Sequence, residues 1–149
     1  MSLRALLDIN VLVALFDPDH VHHDAAHGWF EDHRASGWAT CPVTENGLVR
    51  VVCQAAAGES FARPMQLVER LRAFRASGDH EFWPDAVSLT DKTLFNPSLI
   101  RGHRQLTDIY LLGLAFKMGG CLVTFDSSIP RESVRGIRRE TLQVISQSS

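Results

Sequence analysis

Four acidic side chains carry the chemistry that can be read from this sequence: Asp8, Glu45, Asp108 and Asp126. Asp8 closes the apolar run Ala5-Leu6-Leu7, and Asp126 closes Cys121–Phe125, so both stand at the ends of expected strands. Glu45 follows a short strand expected over Trp38–Cys41, in the first turn of the next helix. Asp108 lies in the first turn of a helix expected over Leu106–Met118. Taken singly, each has an ordinary explanation: a helix cap for Asp8, a dipole partner for Asp108, a turn former for Asp126. Taken together, Asp8, Glu45 and Asp126 share the edge beyond the carboxyl ends of the strands, where ligands of open α/β sheets bind, and Asp108 joins them if the loop before its helix comes up to the same edge.

Crowded carboxylates repel and raise one another's pKa, so such a cluster calls for a cation at neutral pH. Carboxylate oxygens select hard ions such as Mg2+ or Mn2+. A hard cation with open coordination positions suits phosphodiester hydrolysis, where it activates water and stabilises charge on phosphoryl oxygens. No His or Cys set points to zinc. Cys41, Cys53 and Cys121 lack C-x-x-C spacing and sit in apolar contexts, so small buried side chains are expected rather than disulfides or a zinc knuckle.

The elements that must position these acids alternate in type. Arg4–Asp8 reads as a buried strand, followed by a helix over Ile9–Phe16 that Pro18 closes. Asp24 can cap a helix running through Trp29, Phe30 and His33 towards Gly37. After the Trp38–Cys41 strand, Pro42 suits a first helical turn, and a helix over Val43–Ala57 would stop at Gly58. A helix is expected over Pro64–Ala76, a short strand over His80–Trp83, and a short helix plus loop within Val87–Ser98. Thr107-Asp108 starts the Leu106–Met118 helix and Gly119-Gly120 stops it. Strands at Cys121–Phe125 and, at an edge, Leu142–Ile145 complete an α/β fold with a mostly parallel sheet.

The 149 residues suffice for one domain with one core, and no repeat or linker divides them. No apolar stretch approaches the roughly 20 residues a bilayer requires. Arg4 interrupts the N-terminal apolar run, so no secretion signal is expected, and the chain reads as a cytoplasmic protein. The net charge of -2 is unusual for a protein that binds nucleic acid by bulk electrostatics. Its distribution is uneven: residues 1–100 hold 8 basic and 13 acidic side chains, whereas residues 101–149 hold 7 and 4.

Four segments together resemble a known family. Leu6–Leu15 (LLDINVLVAL) resembles the opening strand and helix of the PIN-domain nucleases, and Cys41–Val51 (CPVTENGLVRV) their second acidic segment. Gln105–Ala115 (QLTDIYLLGLA) and Leu122–Ile129 (LVTFDSSI) resemble the third and fourth. Within the family the chain is similar to the VapC toxins of bacterial toxin–antitoxin pairs. The resemblance implies a PIN-like α/β/α sandwich with a central, mostly parallel sheet of four to five strands. It also implies a Mg2+- or Mn2+-dependent endoribonuclease with RNA as substrate, a homodimer, and a VapB-type antitoxin as inhibitor. By position, it makes Asp8, Asp108 and Asp126 metal ligands, directly or through water, and Glu45 the residue that completes the cluster and helps position water. Asn10 would orient Asp8 or a water, and Thr124 would hydrogen-bond the site. The chain departs from the pattern at Ile9, where the family often carries Thr or Ser.

Other residues invite a functional reading beside a plain one. His23 and His27 have the i, i+4 spacing of a transition-metal pair, but with His20 and His22 they read more simply as a solvated loop and helix start. Leu12, Phe16, Trp29 and Phe30 either line a groove for an antitoxin helix or face the core, as apolar residues at helical spacing usually do. Arg131, Arg135, Arg138 and Arg139 either contact phosphates or form a solvated face. Arg104, close to Asp108 in sequence, is a candidate for bidentate phosphate contact.

Three other classes compete with a metal-dependent nuclease. A phosphatase with Asp8 as nucleophile would want a second Asp two positions on, where Asn10 has no titratable proton to donate. A PIN-like module that binds RNA or protein without cutting is the main alternative. A dinucleotide-binding domain lacks its G-x-G-x-x-G after the first strand.

Overall fold

The structure, a computed structural model, describes residues 2–55 and 63–146. Five strands form one sheet: β1 (Ala5–Leu7), β2 (Trp38–Thr40), β3 (His80–Phe82), β4 (Cys121–Thr124) and β5 (Leu142–Val144). Their order is β3-β2-β1-β4-β5, and every pairing is parallel. The α-helices among the described residues are α1 (Ile9–Phe16), α2 (His23–His33), α3 (Pro42–Ala55), α4 (Pro64–Ala76) and α5 (Leu106–Lys117).

The central strands are buried throughout, and apolar up to the threonines that end β2 and β4, because helices or loops cover both faces of the sheet. Side chains alternate between those faces along each strand. Ala5, Leu7, Trp38, Cys121 and Val123 pack with Leu12 of α1, Phe30 of α2, Leu48 of α3 and Leu67 of α4. Leu6, Ala39 and Leu122 face the other way, onto Ile109 and Leu112 of α5 and onto Trp83 and Phe95 from the connecting segments. The edge strands are short and partly exposed, which limits them as templates for further pairing.

Glycines in α5 and α3 allow close approaches to neighbouring segments. A side chain at Gly113 of α5 would run into the Phe95 ring, and one at Gly47 of α3 into Ile9 at the start of α1. The second contact draws the N-terminal ends of α1 and α3 together, and those ends carry Asp8 and Glu45.

The C-terminus of α1 is closed by side chains from elsewhere. An α-helix leaves its last carbonyls without helical partners. Here His23 Nδ1 lies 2.7 Å from the Ala14 carbonyl, His27 Nε2 3.2 Å from that of Leu15, and Arg70 Nη2 donates to that of Phe16 at 2.9 Å. This assigns the His23–His27 spacing to helix capping: each ring aims a nitrogen at α1.

Several expectations are adjusted. The stretch Val87–Ser98 holds no α-helix. Its Ser88, Asp91 and Asn96 side chains accept from nearby backbone instead, as in Thr93 N–H to Asp91 Oδ1 at 2.9 Å, and this competes with helix formation. Only a 3-10 turn, Pro97–Leu99, closes it. Helix α2 begins at His23, so Asp24 sits in its first turn rather than capping it. The expected helix end at Ala57-Gly58 lies outside the described residues. Leu12, Phe16 and Phe30 are core, while Trp29 is half-buried and stacks on His33 at 4.5 Å. Cys41 and Cys121 are buried, and burial pushes the Cys121 thiol up to about 12. Among the described residues, no helix is long and apolar enough to cross a membrane.

Candidate active site

Parallel pairing places the carboxyl ends of all five strands on one side of the sheet, where Asp8 directly follows β1 and Asp126 stands two residues after the end of β4. Asp8 is the N-cap of α1: its Oδ1 accepts from the Ile9 N–H at 2.7 Å. Its Oδ2 accepts from Thr124 Oγ1, also at 2.7 Å. The side chain is almost wholly buried. Burial raises its carboxyl above the ordinary range, the two hydrogen bonds oppose that rise, and the charge of Asp126 adds to it.

Thr124, the last residue of β4, is the hub of this group. Its hydroxyl donates to Asp8 and accepts from Asn10 Nδ2 at 3.2 Å and from the Asp126 N–H at 3.0 Å. Asn10 Oδ1 in turn accepts from the Phe125 N–H at 3.2 Å. Asn10 therefore reaches Asp8 through Thr124. Asp126 is fixed by its own turn, its Oδ1 accepting from the N–H and hydroxyl of Ser128 at 2.8 and 2.6 Å.

Asp108, in the first turn of α5, is half-buried and joins the same group electrostatically. Its carboxyl is pushed up to about 7, first by burial and then by the charges of Asp8 and Asp126. Among the described residues, no Lys, Arg or His pairs with any of these three aspartates. Negative charge is concentrated there without a protein cation to offset it.

Glu45 belongs to a second hydrogen-bonded group at the same sheet end. Its Oε2 accepts from Thr40 Oγ1 at 2.6 Å and lies 3.2 Å from Arg75 Nη1. Thr40 Oγ1 is also 2.7 Å from His80 Nε2. Burial, with the charges of Arg75 and Arg4, lowers the His80 imidazole to about 4, so it is neutral at physiological pH. Glu45, Arg75 and His80 line a cleft of about 460 Å3 together with Val68, Leu71 and Arg72. A second cleft, about 630 Å3 beside Asp85, Asp91 and Lys117, has none of the four acids in its lining.

Thr40, Arg75 and His80 were not among the residues singled out from the sequence. The partners are far apart in the chain, with Arg75 30 positions from Glu45 and His80 40 from Thr40. One signal was available: Thr40 ends β2 as Thr124 ends β4, and each donates to a nearby acid. Arg104 stands exposed in the 3-10 turn before α5, one turn ahead of Asp108. Two of the C-terminal arginines tie down loops, Arg131 through the Arg139 carbonyl at 2.7 Å and Arg135 through that of Lys92 at 2.8 Å.

Comparison with known proteins gives a consistent result. Residues 5–132 match the family model described as PIN domain. The chain is 39% identical over 135 residues to ribonuclease VapC39 of Mycobacterium tuberculosis, covering 91% of this chain and 97% of that protein. It is 41% identical over 145 residues to ribonuclease VapC44 of the same organism, covering 96% and 100%. It is 46% identical over 130 residues to ribonuclease VapC38, covering 84% and 86%. Among solved structures, that of VapC20 from the same bacterium, a sarcin-ricin-loop-cleaving toxin, aligns with a TM-score of 0.56. The alignment covers 90% of this chain and 98% of that one at 13% identity, a likeness of fold.

Proposed function

This chain belongs to the PIN-domain family, among its VapC ribonucleases, and on that premise we propose that it is a metal-dependent endoribonuclease whose catalytic acids are Asp8, Glu45, Asp108 and Asp126. The observation that carries this reading is the set of three aspartates at one sheet end, with no Lys, Arg or His among the described residues paired with them.

The donors fit a hard divalent cation. They are carboxylate oxygens, and the charge they concentrate is what such an ion would offset. Among the described residues, no three His, Cys, Asp or Glu side chains close on one point as a finished cage. Mg2+ rarely uses such a cage; it keeps several waters and takes one or two carboxylates plus substrate phosphate. Asp8, Asp108 and Asp126 are the residues that would hold it, with Mg2+ or Mn2+ as the ion. When bound, the ion supplies Lewis acidity at the scissile phosphate and makes water a stronger nucleophile near neutral pH.

The chain's own groups do the rest. Thr124 and the Ile9 N–H hold both oxygens of Asp8 in place, and Ser128 fixes Asp126, so the acids are set before substrate arrives. Glu45 orients the attacking water from the neighbouring group. Arg104, exposed one turn ahead of Asp108, is the residue that would take a phosphate of the RNA backbone in its planar fork.

The whole chain acts as one PIN domain in this reading, a cytoplasmic toxin paired with a VapB-type antitoxin and active as a homodimer. Support for the pairing comes from relatives that bear the VapC name and match almost end to end. The test is cleavage of a mixed RNA pool with the ends mapped, with and without Mn2+. Discrete cuts that require the ion support the reading; retention of RNA without cutting would replace it with a binding module.

A further inference from the structure

We infer that Arg75 of α4, with the Thr40–His80 pair, forms a positioning device that sets the orientation of Glu45. The inference rests on the proposed role of Glu45 and deepens it.

The hydrogen bonds have one consistent direction. The Thr40 hydroxyl has a single proton, and the 2.6 Å contact gives it to Glu45 Oε2. The same oxygen, Thr40 Oγ1, then accepts from His80, so the neutral imidazole carries its proton on Nε2. The resulting chain runs His80 Nε2–H to Thr40 Oγ1–H to Glu45 Oε2, and Arg75 meets the same carboxylate oxygen from the other side at 3.2 Å. A hydroxyl that both accepts and donates is polarised in the donating direction, which strengthens its bond to the carboxylate.

This arrangement treats the two oxygens of Glu45 differently. Oε2 is committed to Thr40 and Arg75. Among the described residues, Oε1 has only a long contact of 3.5 Å to Arg75 Nη1, so it is the atom left to face a water or a ribose hydroxyl. The Glu45 side chain is only 16% exposed, so a fixed direction matters more than it would on an open surface. Arg75 is itself held from behind, its guanidinium 5.0 Å from the centre of the Phe82 ring. The device comes from β2, β3 and α4, none of which supplies an aspartate to the other group. Glu45 is therefore aimed independently of Asp8, Asp108 and Asp126.

Kinetics of the full chain on a labelled RNA carrying a mapped cut site, in saturating Mn2+, test this. Glu45→Gln, Arg75→Met, Arg75→Lys, Thr40→Val and Thr40→Ser are compared. Arg75→Met and Thr40→Val are expected to lower kcat at least tenfold with KM within twofold. Arg75→Lys and Thr40→Ser are expected to recover most of that loss, which a general loss of packing would not produce. In 15N spectra of the imidazoles, His80 is expected as the Nε2–H tautomer in the wild type and as a tautomer mixture in Thr40→Val. The inference is overturned if Glu45→Gln is inactive while Arg75→Met keeps its kcat, or if Arg75→Met raises KM alone, which would make Arg75 a phosphate contact. Full activity in Glu45→Gln would instead remove Glu45 from the site, and the device with it, a failure recognisable as that of the underlying reading.

Discussion

The hydroxyl of Thr124 donates a 2.7 Å hydrogen bond to Oδ2 of Asp8, joining residues 116 positions apart at the carboxyl ends of adjacent parallel strands. The same oxygen accepts from Asn10 and from the Asp126 backbone, so one side chain ties together two of the three clustered aspartates.

Replacing that hydroxyl is therefore costly in two ways. Thr124→Val keeps the shape but leaves a buried carboxylate oxygen and a backbone N–H without partners, which costs about 1–3 kcal/mol per group. Melting temperature and cleavage rate are both expected to fall in Thr124→Val. Thr124→Ser keeps the donor and is expected to retain most of both. A valine variant with unchanged rate and stability would show that the hub does not organise the site.

The raised Asp108 carboxyl makes the metal-free protein sensitive to pH in a defined direction. The unfolded chain releases this proton near the ordinary value of 3.8, whereas the folded chain keeps it until about 7. Between those values the native state binds more protons, so the group's contribution to stability falls as pH rises, then levels off above 7. Asp8, also raised, acts in the same sense. In urea titrations without divalent ions, wild type is expected to lose stability relative to Asp108→Asn between pH 4 and 7. Equal slopes for the two proteins would contradict an Asp108 carboxyl raised by burial and by the charges of Asp8 and Asp126.

Adding a divalent ion should reverse that loss. An ion that binds only the native state at 100 times its Kd adds about 2.7 kcal/mol. Mn2+ is expected to raise the melting temperature more at pH 8 than at pH 5, because protonated carboxyls are poor ligands. Asp126→Asn is expected to shrink the increment, as read by thermal scans with and without the ion.

Glycines separate tight contacts from open ones. Gly113→Ala meets the Phe95 ring and Gly47→Ala meets Ile9, so each is expected to destabilise by about 1–3 kcal/mol. Gly47→Ala is also expected to reduce cleavage, because Ile9 adjoins Asp8. Gly28, within α2, has open space around it, and Gly28→Ala is expected to add up to about 1 kcal/mol of stability. Denaturant midpoints for the three variants check the order.

Elements with strong local signals could be read directly from the chain. Pro64–Ala76 emerges with the bounds expected, since Pro64 starts it and Ser77-Gly78 follows it. The strands ending at Asp8 and Asp126 could also be read, because buried parallel strands are continuous apolar runs closed by a polar residue. Val87–Ser98 holds no α-helix where a short one is expected, because its Ser88, Asp91 and Asn96 side chains bond the backbone locally. The pairing of His23 and His27 with α1 carbonyls was hidden, because spacing alone cannot tell a metal pair from two caps. The surroundings of Glu45 were hidden for a different reason. Arg75 and His80 lie in separate elements without a motif, and only the α3–α4 packing and the β2–β3 pairing bring them to it.

The most direct measurement is the rate of RNA cleavage against Mn2+ concentration for wild type and Asp8→Asn, with circular dichroism on both. The expected result is saturable, chelator-sensitive cleavage by wild type, and no cleavage by a natively folded Asp8→Asn at any Mn2+ concentration. Cleavage that survives excess chelator, or an Asp8→Asn protein as active as wild type, would contradict the carboxylate–metal account.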